Sequence, residues 1–192
     1  VVLIDSGHGG SDPGKIGIHQ EKEKDINLQI AKRLKKQLEK NGVNVYMTRE
    51  NDVDLSEGDG GNSKVQDLKR RCEMVRKIQP DCVLSIHQNS YPEEAIHGAQ
   101  VFYYATSERS RMLASMIQKE FQVLQPDNRR LEKGNDSYYL LKKTAKPIVI
   151  AECGFLSNAE EAEKLVTQEY QERVAWRIHM GIMKYIGTGQ TA

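Results

Sequence analysis

His8, His87 and Glu152 each stand at or near the end of a short apolar run, in VVLIDSGH, CVLSIH and PIVIAEC. Imidazole and carboxylate are zinc-binding side chains, and two histidines with one carboxylate leave a fourth tetrahedral position open for water or substrate. A further carboxylate held off the metal can take the proton of an attacking water. Glu23, at the start of the first helical pattern, is the second carboxylate that this chemistry would use. Each residue also has a plainer use. Glu23 could only favour a helix dipole, and His87 could be a satisfied core histidine. Glu152 is harder to dismiss, because a carboxylate closing an apolar strand is costly unless it is paired or functional.

The elements that must position these groups follow from hydrophobic spacing. Val1 to Ile4 reads as a buried strand that runs into Asp5, Ser6 and Gly7, then His8 and the glycines at 9 and 10. A dinucleotide fingerprint fails there, because Asp12 falls where the last glycine of G-x-G-x-x-G would stand. Lys22 to Asn41 reads as a helix with Ile26, Ile30, Leu34 and Leu38 on one face, stopped by Asn41-Gly42. Val43 to Met47 is a strand. Asn51 to Ser63 is a polar surface loop lying over the site. Its Asp52, Asp54 and Ser56 fall short of a calcium loop, since Glu57 stands where glycine is needed.

Lys64 to Gln79 reads as a helix with Val65, Leu68, Cys72 and Val75 inward, and Asp81 to His87 as a strand. Ala99 to Tyr104 is a further strand, Ser107 to Leu124 an amphipathic helix, and Gln125 to Asp136 a charged loop. Tyr138 to Leu141 is a short apolar piece, and Pro147 to Cys153 a strand. Ser157-Asn158 caps a helix through Val166, and Glu169 to Ile186 is the last helix. This alternation predicts a single α/β domain with a mostly parallel sheet flanked by helices on both faces. Its ligand site belongs at the carboxyl ends of the strands. The domain is expected over 1–187, with 188–192 a disordered tail.

The chain has 192 residues, enough for one domain with a full core. Its 28 Lys and Arg balance 27 acids, and no basic stripe with interleaved aromatics points to nucleic acid. No apolar run is long enough for a membrane span. The chain opens on a strand without Met or a signal-peptide pattern, so a removed targeting segment is expected. Cys72, Cys82 and Cys153 are odd in number and lack C-x-x-C spacing, which argues for small buried apolar residues.

IDSGHGGSDPG, EKDINLQIAKRL, LSIHQNS and AECGFLSN, in that order, closely resemble the zinc-dependent N-acetylmuramoyl-L-alanine amidases. DLKRR, HGAQVFYY and NDSYYLLKKT resemble most the germination-specific branch of spore-forming bacteria. The resemblance implies zinc ligands His8, Glu23 and His87 and a catalytic Glu152. Glu21 is a near neighbour, but the E-K-D-x-N-L motif begins at Glu23. It implies cleavage of the amide between the lactyl group of muramic acid and L-alanine in peptidoglycan, and a cortex role leading to muramic-δ-lactam and germination. The place of action would be extracytoplasmic, in the intermembrane space of the forespore or in the cortex. Clostridial relatives of this branch work with a lipoprotein, GerS, so an activating partner is expected. Two departures stand out: Cys153 replaces an apolar or small residue, and the loop at 51–63 is long. The competing readings are another cell-wall zinc hydrolase (a carboxypeptidase or deacetylase) and a non-catalytic peptidoglycan-binding module. Asp5 or Ser6 is the expected orienter of a ligand histidine. His19, His97 and His179 read as surface or packing residues, and Arg71 as solvated or salt-bridged rather than touching substrate.

Overall fold

The computed structural model of the protein describes residues 1–56 and 63–189. Six strands form one sheet in the order β2-β1-β3-β6-β4-β5. They are β1 (Val2–Ser6), β2 (Val45–Met47), β3 (Cys82–Asn89), β4 (Gln100–Tyr104), β5 (Lys133–Asn135) and β6 (Ile148–Phe155). The helices are α1 (Glu23–Lys40), α2 (Ser63–Ile78), α3 (Glu108–Leu124), α4 (Tyr139–Lys143), α5 (Ala159–Leu165) and α6 (Gln168–Gly187). β2, β1, β3 and β6 run parallel, β4 is antiparallel to β6, and β5 is parallel to β4.

β1, β3 and β6 are buried on both faces, which explains their almost continuous apolar character. Period-two alternation divides their side chains. Val2, Ile4, Leu84, Ile86, Val149 and Ala151 join α1, α3 and α6 in one core. Leu3, Val83, Ile148 and Ile150 face the smaller layer made by Cys72 and Val75 of α2 and Leu140 and Leu141 of α4. Toward the carboxyl ends this second face turns polar, with Asp5, Ser85, His87 and Glu152 continuing its parity. The thinner helical layer borders these groups, with Leu68 of α2 and Tyr139 and Leu140 of α4 lining one cavity with His87 and Glu152.

Several expectations change in detail. Val65 is exposed, so α2 buries a narrower stripe than its spacing implies. The charged segment after α3 contains β5, a three-residue edge strand held by β4 rather than by apolar side chains of its own. The helices at 107–124 and 157–166 begin where capping chemistry places them. Ser107 accepts from the Ser110 amide and Asn158 from the Glu161 amide. All three cysteines are free and buried. Of the expected loop, 57–62 lies outside the described residues, as does 190–192 of the expected tail. The described part of the loop is not simply solvated. Asp52 accepts from the Gly10 amide at 2.9 Å and pairs with Lys24 at 2.7 Å, which ties it to the turn after β1.

Candidate metal centre

β1 makes its last ladder bond through the Gly7 amide to the Ile86 carbonyl at 3.1 Å, and then leaves the sheet. His8 takes φ 61°, a left-handed conformation uncommon outside glycine, and Gly9 and Gly10 continue the turn. Paired backbone bonds between Gly9 and Asp12 close it. The result lifts His8 off the sheet and brings its ring within 5.0 Å of His87, edge to face. Gly7 is required by this approach, since a Cβ there would lie 2.2 Å from the His87 ring. Gly14, at φ 71°, is required twice over, because a Cβ would meet both Glu23 and His8.

Glu23 reaches the same point from the first turn of α1. The segment after the turn runs back along the helix start, with the Glu23 amide donating to the Lys15 carbonyl and the Lys24 amide to the Pro13 carbonyl. The Glu23 carboxylate bridges the histidines: Oε1 lies 2.8 Å from His87 Nδ1 and Oε2 lies 3.2 Å from His8 Nε2. It also accepts from the Lys15 amide at 2.8 Å and the Gln88 amide at 3.1 Å. Burial opposes its charge, but the two histidines hold the carboxyl far below the usual range. Burial likewise opposes the His87 imidazolium, and Glu23 overrides it, pushing that group up to about 9.

One ligand atom from each of His8, Glu23 and His87 lies within 4.8 Å of the others, the one such group among the described residues. Small side-chain rotations from that spacing reach bonds of about 2.0–2.2 Å to a single ion. Two imidazoles and a carboxylate are a donor set that zinc accepts, with one tetrahedral position left over. The residues therefore fit a zinc ion. Glu21 is turned elsewhere, accepting from the His19 amide at 3.0 Å.

Glu152 sits beside His87 in register across β3 and β6. Both strands run on for two or three residues, to Asn89 and Phe155, so neither group is terminal as the apolar runs imply. A bulge between His87 and Asn89 lets the strands continue beyond the site. Glu152 is 7% exposed, and its Oε2 is buried with no hydrogen-bond partner in the protein. Burial pushes its carboxyl up to about 7, with His87 pulling the other way and Glu23 reinforcing the rise. Glu152, His8 and His87 line a cavity of about 230 Å³ whose far wall includes Leu68, Tyr138, Leu140 and Ile150.

The orienting residue is Asp12, not Asp5 or Ser6. Asp12 Oδ2 lies 2.8 Å from His8 Nδ1, four residues along the turn. Asp5 is one strand layer lower. It accepts from Ser85, Thr48 and Arg71 and has no hydrogen bond to either histidine. The signal for Asp12 lay in the sequence, as a carboxylate within a glycine-rich turn beside a histidine. Arg71 is salt-bridged to Asp5 and Asp67 and 2% exposed, so it is part of the frame. His19 and His97 are exposed, and His179 packs against Trp176.

The same frame recurs in known proteins. The chain is 37% identical over 188 residues to the germination-specific N-acetylmuramoyl-L-alanine amidase of Bacillus subtilis, covering 96% of this chain and 79% of that one. It is similar to the CwlD amidase of Clostridioides difficile, whose structure was solved in complex with the GerS lipoprotein. There the TM-score is 0.94 with 37% identity, over 97% of this chain and 98% of that chain. The catalytic domain of CwlV, an N-acetylmuramoyl-L-alanine amidase from Bacillus (Paenibacillus) polymyxa var. colistinus, gives a TM-score of 0.84 at 31% identity, with 97% of each chain covered. With the N-acetylmuramoyl-L-alanine amidase family model matching residues 2–184, the protein that carries this histidine–glutamate cluster belongs to that family of cell-wall hydrolases.

Proposed function

We propose that this enzyme binds zinc through His8, Glu23 and His87 and uses Glu152 as the general base. In that reading it hydrolyses the amide between the lactyl group of N-acetylmuramic acid and L-alanine in peptidoglycan. Residues 1–187 form the catalytic unit. The observation that carries the proposal is the unpartnered, buried Glu152 Oε2 beside the three-residue donor set. A zinc ion there supplies Lewis acidity, to a water molecule and to the lactyl carbonyl.

The protein groups do the rest. Burial raises the Glu152 carboxyl in the metal-free chain, and a bound zinc would draw it back toward the ionised form that serves as a general base. Its carboxylate takes the proton as water attacks the carbonyl, then delivers it to the departing alanine nitrogen. Asp12 holds the His8 ring by Nδ1, and the Gln88 and Lys15 amides hold the Glu23 carboxylate. His8 and Glu23 are thus aligned before substrate arrives, which reduces reorganisation in the reaction step. The apolar wall of the cavity narrows the space in which bulk water competes.

The relatives support a finer reading. A germination-specific amidase and a GerS-bound amidase are both among the proteins most like this chain. We infer that the enzyme acts outside the cytoplasm on spore cortex, opens the way to muramic-δ-lactam, and is activated by a GerS-like lipoprotein. The test is digestion of purified muropeptides by zinc-loaded enzyme, with and without such a lipoprotein. Release of intact L-alanine-headed peptide and a free lactyl carboxylate is the expected result. Cleavage within the peptide, or loss of acetate, would instead mark a carboxypeptidase or a deacetylase.

A further inference from the structure

Three consecutive carbonyls, those of Ser6, Gly7 and His8, leave the sheet as β1 ends. Backbone carbonyls in so enclosed a position need other donors. Two buried arginines supply most of them. Arg49, 3% exposed, donates from Nε to the Ser6 carbonyl at 3.0 Å and from Nη2 to the Gly7 carbonyl at 3.1 Å. Arg71 donates from Nη1 to the Ser6 carbonyl at 2.8 Å and from Nη2 to the His8 carbonyl at 2.9 Å. Asn27 adds a bond to Gly7 at 3.2 Å.

We propose that Arg49 and Arg71 are positioning residues that clamp the turn after β1, holding His8 in its left-handed backbone conformation and fixing the distance between His8 and Glu23. Two further contacts define how the clamp is anchored. Arg49 Nη2 also donates to the Lys24 carbonyl at 2.8 Å, so one guanidinium spans the turn that carries His8 and the helical turn that carries Glu23. Arg71 is itself locked, at 2.6 Å to Asp5 and 2.6 Å to Asp67. Asp5 is fixed by Ser85 of β3 and by Thr48 beyond β2, so the clamp is referenced to three strands.

The physical need is the conformation of His8. A non-glycine residue at positive φ is strained and persists where its surroundings over-determine it. The planar fork of arginine can bond carboxylate and carbonyl at once, whereas lysine is a single point charge. Neither arginine touches the ligand side chains. Their effect reaches the site through the backbone, and it rests on the reading of His8 and Glu23 as metal ligands.

The experiment measures zinc dissociation constants by competition with a chromophoric chelator for wild type, Arg71→Met, Arg71→Lys, Arg49→Lys and His8→Ala. Thermal melting of each metal-free protein is followed alongside. Outer-shell partners of metal ligands typically set affinity by 10–100-fold. The arginine variants are expected to weaken zinc by about that factor, with lysine at position 71 milder than methionine. Their hydrolysis should recover at saturating zinc. If Arg71→Met does not melt cooperatively, the two lysine variants decide. Folded variants with wild-type zinc affinity would overturn the clamp, even with a lowered melting temperature. His8→Ala separates the two claims, since unchanged zinc binding there would refute the metal site and not the clamp.

Discussion

Replacing Glu152 by Gln should abolish hydrolysis and at the same time make the stability of the metal-free protein, relative to wild type, rise with pH. The carboxyl is pushed from the ordinary 4.5 up to about 7 in the folded chain, by burial first. The folded state therefore keeps a proton that the unfolded state gives up between pH 4.5 and 7, and stability falls as pH rises through that window. At about 1.36 kcal/mol per pH unit the ceiling is about 3 kcal/mol. Between pH 5 and pH 8 most of it, about 2–3 kcal/mol, is lost. Glutamine has no such proton to lose. Its amide adds an unpartnered donor beside the present Oε2 position, a cost of about 1–3 kcal/mol that does not vary with pH. The diagnostic is therefore the change in the stability gap, not its sign at one pH. Urea unfolding of both proteins in chelator at pH 5 and pH 8 should show glutamine gaining about 2–3 kcal/mol on wild type across that interval. In zinc the gain should shrink, because a nearby cation favours the ionised carboxylate. A gap that stays constant with pH would refute the buried, unpartnered carboxylate. Wild-type hydrolysis by the variant would refute its role as base, where a loss of about a hundredfold or more is expected.

Zinc binding at pH 7.5 should release at least one proton, because His87 is raised by Glu23 to about 9 and must be neutral to bind metal. Calorimetry in buffers of different ionisation enthalpy measures this, and affinity should weaken as pH is lowered; a buffer-independent heat would contradict it. Glu23→Gln should strip the metal, while Glu21→Gln should leave metal content unchanged, as read by elemental analysis; the reverse pattern would move the ligand to Glu21. Gly7→Ala places a Cβ 2.2 Å from the His87 ring. It should displace that ring and weaken zinc at least tenfold, on the scale of lost outer-shell support, whereas an unchanged dissociation constant would show that the ring has room to move.

The sheet was readable because β1, β3 and β6 are buried on both faces and therefore continuously apolar, as in VVLI, CVLSI and IVIA. The helices were readable through their four-residue spacing and through caps such as Ser107 and Asn158. The antiparallel run of β4 was not readable, since strand direction depends on the path of the preceding connection, and Ser90 to Ala99 carries no local mark of it. β5 escaped notice because KGN has no apolar side chain to bury.

The same division runs through the site. His8, Glu23, His87 and Glu152 stood out because ionisable groups interrupt otherwise apolar or periodic patterns. Val65 misled in the opposite sense, fitting the helical period while lying at the exposed start of α2. The roles of Arg49 and Arg71 were hidden because their work is done on carbonyls that only the fold brings near. Arg71 lies 65 positions from the Ser6 carbonyl, and Arg49 lies 25 from that of Lys24. Arg71 shares the inward face of α2 with Leu68, Cys72 and Val75, and its salt bridges were expected, but its bonds to the turn after β1 were not. What distinguishes both arginines is that β1 ends in a turn whose carbonyls have no ladder partners. A strand that delivers a side chain at left-handed φ creates unpaired carbonyls, and buried cationic forks are the side chains suited to several of them at once.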